Sequence, residues 1–77
     1  MIYKPVNGLV KRPESFPKFT RMRDRRLSFG YSQDDLATLS GVSRAVIANM
    51  ESGHCNPTYW TLYRLAIALD TDIASII

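Results

Sequence analysis

From Lys18 onward, apolar residues recur at spacings of three and four, the period of a helix with one buried face. "KFTRMRDRRLSF" carries Phe19, Met22, Arg26 and Phe29 on such a stripe, and Gly30 stands where a helix C-terminus favours positive φ. In "SQDDLATLS", Ser32 predicts an N-cap, Asp35 three residues later completes a capping-box pattern, and Leu36 and Leu39 take the inward positions. That helix stops near Ser40. Gly41 predicts a sharp turn, Val42 an apolar insertion between helices, and Ser43 the cap of a third helix that ends before Gly53. "HCNP" reads as a loop, and Thr58 caps a fourth helix with Leu62, Leu65, Ala66 and Leu69 at i, i+3, i+4 and i+7. "DIASII" forms a short fifth helix, so residues 18–77 are expected to be an all-α, five-helix domain.

The first 17 residues break this pattern. Pro5, Pro13 and Pro17 lie there, and Asn7-Gly8 sits between apolar residues, a hairpin signal because both turn positions must tolerate positive φ. Pro5 confines its strand to an edge, which predicts a hairpin or an extended N-terminal arm.

Composition narrows the functional classes. At 77 residues there is one small core, and 45% hydrophobic with 22% charged residues is the balance of a soluble globular chain. Cys55 is the single cysteine, which excludes an internal disulfide framework and suits a reducing compartment. His54 and Cys55 supply only two soft ligands, short of a tetrahedral site, so neither a metal nor any other cofactor is expected. Ser, His and Asp are present without the spacing of a nucleophile elbow or an oriented base, and neither catalysis nor a small-molecule substrate is expected. The apolar runs are far shorter than a membrane span and the N-terminus lacks a signal-peptide core; the expectation is a cytoplasmic protein with no membrane partner.

Charge is unevenly placed. Up to Tyr31, eight Lys or Arg face Glu14 and Asp24, a balance of +6, whereas from Ser32 two arginines face five acids, a balance of −3. A basic segment suits a polyanionic partner, although most such runs are simply solvated faces.

Taken together, Gln33-x-x-Leu36-Ala37-x-x-x-Gly41-Val42-Ser43-x-x-x-Ile47-x-x-x-Glu51-x-Gly53, then Pro57 and Thr61-Leu62-x-x-Leu65-Ala66-x-x-Leu69, resemble the lambda-repressor-like helix-turn-helix family of Cro and the phage repressors. The resemblance covers about residues 19–77 and leaves the arm outside. It implies a domain whose third helix enters the DNA major groove. The residues agree: Ala37 and Gly41 are small where two helices cross steeply, and Ile47 and Met50 give helix three an inward face. Arg44, Ala45, Ala48 and Asn49 are left on its outer side. Arg can bond guanine O6 and N7 bidentately, Ala can meet a thymine methyl, and Asn can reach adenine or a phosphate, so Arg44, Ala45 and Asn49 are the base-reading candidates.

At the start of helix two, the family usually sets a glutamine and backbone amides against a phosphate, which implies that role for Gln33 and requires Asp34 to point aside while Asp35 serves the cap. Ser43, His54 and Asn56 are further phosphate candidates. Arg26 and Glu51 match positions that form a structural ion pair in several family members. Arg21, Arg23 and Arg25 are either a phosphate stripe or the wet face of helix one. Lys4, Lys11 and Arg12 are either a DNA-reaching or partner-binding arm or a disordered tail. Tyr59, Trp60 and Tyr63 could stack on bases, but at helical spacing they read as core or interface, with Trp60 the most exposed. Ile73, Ile76 and Ile77 either close the core or form a dimer seam, since related domains often pair through this end.

The resulting expectation is a double-stranded DNA-binding transcriptional regulator, a repressor that binds an inverted repeat as a homodimer. No separate ligand domain is expected. Four alternatives stay open: an antitoxin that binds a toxin and represses its own operon, a Cro-like switch protein, a restriction-modification controller, and a protein-interaction module that uses no DNA.

Overall fold

A computed structural model describes residues 16–77. The helices are α1 (Thr20–Ser28), α2 (Gln33–Ser40), α3 (Arg44–Ser52) and α4 (Tyr59–Ala68), followed by one 3-10 turn at Ile73–Ser75. The described residues contain no strand, so the all-α class holds; the anticipated fifth helix is this single turn, closed by Asp72 accepting from the Ser75 N–H at 3.0 Å. The hairpin or arm anticipated over 1–17 lies almost wholly outside the described residues; Phe16 and Pro17 have no regular structure.

Local chemistry sets the helix boundaries. Ser32 and Asp35 form a reciprocal capping box, the hydroxyl accepting from the Asp35 N–H at 3.0 Å and the carboxylate from the Ser32 N–H at 2.9 Å. The Ser43 and Thr58 hydroxyls accept from the N–H groups of Val46 and Thr61, both at 3.2 Å. Gly41 ends α2 at φ +73, and a Cβ there would stand 3.2 Å from an Arg64 nitrogen, so both the turn and the close approach of α4 favour glycine. Gly53 ends α3 at φ +82, where a Cβ would come within 2.8 Å of the Phe16 carbonyl oxygen. Such an approach lets the incoming strand of chain lie on the end of α3: the Phe16 N–H donates to the Gly53 carbonyl at 2.9 Å and the Phe19 N–H to that of Met50 at 3.1 Å.

Met22, Leu36, Ile47, Met50, Leu65, Leu69 and Ile76 are fully buried, with Val42 and Ala66 filling between them. The periodicity erred at two places, Leu39 and Phe29. Leu39 is 55% exposed, and the inner position is instead Ser40, whose hydroxyl accepts from the Val42 N–H at 3.1 Å. A small residue at i+4 from Leu36, rather than a leucine at i+3, suits helices that pack closely. Phe29 also lies outside the core: α1 ends at Ser28, and the ring stacks on Tyr31 at 5.3 Å. Tyr59, Trp60 and Tyr63 are all exposed, Tyr59 at 72% more so than Trp60 at 61%, so none is a core residue.

α4 lacks a terminal glycine. Asp70 takes the left-handed conformation at φ 52, which aspartate tolerates better than most residues. Arg25 completes the terminus from α1, Nε donating to the Leu69 carbonyl at 2.7 Å and Nη2 to that of Asp70 at 2.9 Å. A cation on the last carbonyls also opposes the negative end of the helix dipole.

Candidate nucleic-acid interface

α2 and α3 form a helix-turn-helix around Gly41, locked by the buried Val42. With Ile47 and Met50 turned inward, Arg44, Ala45 and Asn49 lie exposed on α3 and Ala48 is half-buried. All three anticipated base-reading residues therefore stand at the surface of one short helix.

Beneath that helix lies a polar junction. Arg26 on α1 donates from Nε and Nη2 to the two carboxylate oxygens of Glu51 on α3 at 2.9 and 2.8 Å, with both side chains over nine-tenths buried. Its Nη1 donates to the Tyr31 carbonyl at 2.8 Å, and the Gln33 side-chain amide nitrogen donates to Glu51 Oε1 at 3.2 Å. Hydrogen bonding to Glu51 raises the Arg26 pKa against the opposing effect of burial. α1, the start of α2 and the end of α3 are thus tied through one carboxylate.

Arg23, Gln33, Ala48 and Ser52 line a recess of about 410 Å³ over this junction, together with Arg26 and Glu51. Arg23 joins the α3 side of the molecule, whereas Arg21 reaches toward the Ala74 carbonyl at 3.5 Å, and Arg25 closes α4. The sequence reads those three arginines together, as either a phosphate stripe or a solvated face; the fold separates them. The Gln33 side chain is engaged by Glu51, and within the first turn of α2 the Asp35 N–H is engaged by the Ser32 hydroxyl. Asp34, expected to point aside, stands 3.4 Å from Arg44 Nε across the turn, with both side chains exposed. Ser43 caps α3, while His54, held by Ser52 at 2.8 Å through Nδ1, and Asn56 are exposed beyond its far end.

Of the three isoleucines considered for a dimer seam, Ile76 is fully buried in its own chain and offers no surface; Ile73 is half-buried and Ile77 exposed. Ile76 packs inward because the 3-10 turn folds the C-terminus back over the core. Lys4, Lys11 and Arg12 lie outside the described residues. Among the described residues no group of three or more His, Cys, Asp or Glu could hold a metal ion, and no helix is long and apolar enough to cross a membrane.

This arrangement defines a helix-turn-helix DNA-binding domain. Residues 22–76 match the HTH_3 helix-turn-helix family, and the chain belongs to it. The chain is 38% identical over 47 residues to an uncharacterized HTH-type transcriptional regulator of Archaeoglobus fulgidus, spanning 61% of this chain and 67% of that protein. It is 39% identical over 51 residues to the uncharacterized regulator y4dJ of Sinorhizobium fredii, where the match spans 66% of this chain and 62% of the relative. Among solved structures, the restriction-modification controller protein C.AhdI of Aeromonas hydrophila superposes with a TM-score of 0.72 at 34% identity, covering 75% of this chain and 88% of that one. Family and relatives identify a DNA-binding transcription regulator rather than an enzyme.

Proposed function

We propose that the protein is a repressor that binds an inverted-repeat operator as a homodimer, with α3 in the major groove of each half-site. The observation that carries this reading is the exposed face of α3, where Arg44, Ala45 and Asn49 project from a helix with no bulky outward neighbour. Arg44 would read guanine, Ala45 a thymine methyl, and Asn49 adenine or a phosphate. Phosphate contacts would come from the first-turn amides of α2, Arg23, and the exposed ends of α3 at Ser43, His54 and Asn56. Arg21 is better placed to support the C-terminal turn.

Dimerisation is supported by a stripe of exposed apolar side chains, Tyr59, Tyr63 and Ile67, along α4 beside the 3-10 turn. Likeness to C.AhdI favours one narrower role, control of a restriction-modification gene pair; nuclease and methyltransferase reading frames beside the gene would support it.

Selection of the purified protein from random duplexes at one stated salt concentration tests the proposal. Enrichment of an inverted repeat with half-sites about one helical turn apart is the expected result. Binding that shows no preferred sequence and merely weakens as salt rises would reject operator recognition by this chain alone.

A further inference from the structure

We infer that Asp34 is a specificity-determining residue of the DNA interface, acting by holding Arg44 in the orientation that reads a base edge. This rests on the reading of Arg44 as a base contact. Each of the first three side chains of α2 has a different partner: Gln33 bonds Glu51, Asp35 closes the capping box, and Asp34 faces Arg44 at 3.4 Å. Asp34 is therefore the one acid of that turn whose partner lies on the groove-facing helix.

The contact has a chemical direction. Its nearest approach is to Nε, the proximal nitrogen of the guanidinium, so the acid sits against the base of the fork rather than across its terminal nitrogens. Those two terminal donors form a fork able to span guanine O6 and N7. A long arginine without such a partner samples many rotamers and can equally bond a phosphate, which carries no sequence information. The pair is 63% and 78% exposed, so water screens it and it contributes little to folding; its consequence falls on where the guanidinium points. Asp34 also offsets the only positive side chain on α3, which keeps non-specific attraction to the DNA backbone low.

The expected phenotype is opposite in sign for the two kinds of DNA. Asp34→Asn removes a negative charge from a surface that meets a polyanion, so binding to random duplex strengthens and its salt dependence steepens. Preference at the base pair read by Arg44 falls about two- to fivefold, as far as an exposed ion pair can bias an arginine's orientation. Asp34→Glu keeps the carboxylate and retains most of that preference.

The experiment measures affinity of the full chain for the selected operator and for single-base variants of it, across a salt series, in wild type, D34N, D34E, R44A and the D34N/R44A pair. The inference is supported when D34N flattens the preference at the same base pair as R44A and the double variant is no flatter than R44A alone. It is overturned when D34N changes binding to all sequences by one common factor, which would make Asp34 a simple electrostatic brake. When R44A itself leaves every base preference intact, the base-reading role of Arg44 fails, and the role of Asp34 fails with it. Unchanged helical circular dichroism in D34N separates these outcomes from damage to α2.

Discussion

Around Glu51 the molecule buries charge, whereas along α4 it exposes apolar surface. At the first place a guanidinium and a carboxylate are withdrawn from water beside a half-buried amide, and each of the three guanidinium nitrogens donates to an acceptor. At the second, Tyr59, Trp60, Tyr63 and Ile67 meet solvent, with only a Trp60–Tyr63 stack at 5.5 Å and Arg64 over the indole at 5.9 Å for company. In a domain this small there are few interior sites, so surplus apolar side chains serve either poorly or in contact with another molecule. Buried polar groups behave differently, because each demands a defined geometry. The polar junction therefore ties α1, α2 and α3 together beneath the helix proposed to read DNA, while the apolar stripe is exposed to solvent.

The strongest break of this contrast is at Glu51. Glu51→Ala leaves the Arg26 guanidinium buried without its carboxylate and removes the partner of Gln33, a loss of about 3–5 kcal/mol. Since small domains hold only about 5–15 kcal/mol, the variant should be largely unfolded or close to it, as read by urea denaturation followed by circular dichroism. A loss below about 1 kcal/mol would show that apolar packing alone sets the helix arrangement.

How far the sequence revealed all this follows the range of each interaction. Ser32, Ser43, Thr58 and Gly41 act on backbone within a few residues of themselves, and their roles could be read directly. The Arg26–Glu51 pair spans 25 residues and was visible only through family resemblance. Arg25 on the Leu69 and Asp70 carbonyls joins residues more than 40 apart, and nothing in a run of arginines distinguishes it from Arg23. Leu39 and Ser40 show the other limit: periodicity located the inner face of α2 but missed that close packing wanted the smaller residue. For the site, the outward set on α3 was legible from helix geometry, whereas the Asp34–Arg44 contact depends on how the turn folds back.

Arg25→Ala tests whether the arginines of α1 divide as described. Losing two bonds to the end of α4 should cost about 1–2 kcal/mol in denaturation while leaving the salt dependence of DNA binding unchanged. Arg23→Ala should do the reverse, with stability intact and the salt slope reduced by about one phosphate contact. A stability loss from both variants would return them to one structural stripe.

Ile67→Glu sharpens the other side of the contrast. The residue is exposed, so the isolated domain should lose no more than about 0.5 kcal/mol. If α4 forms the dimer seam, sedimentation should show a shift to monomer, and affinity should fall on the full inverted repeat but not on a single half-site. An unaltered dimer would move the seam elsewhere.

The smallest expected effect is acid sensitivity at the two capping carboxylates. The Ser32 backbone N–H, followed by its hydroxyl, holds Asp35 below the usual carboxylate range, and the Ser75 hydroxyl, followed by its N–H, does the same for Asp72. A carboxylate whose pKa is lower in the folded chain stabilises it fully above the unfolded pKa and loses that contribution as pH falls through the folded value. Stability should therefore hold from neutrality to about pH 5 and decline below about pH 4. Both groups are solvent-exposed, so the slope should be shallow. Asp35→Asn should be less stable at neutral pH and show a flatter acid limb in thermal melts, because its side chain no longer changes charge. An acid limb identical to that of the parent would show that the capping box contributes geometry to the start of α2 without contributing to its pH dependence.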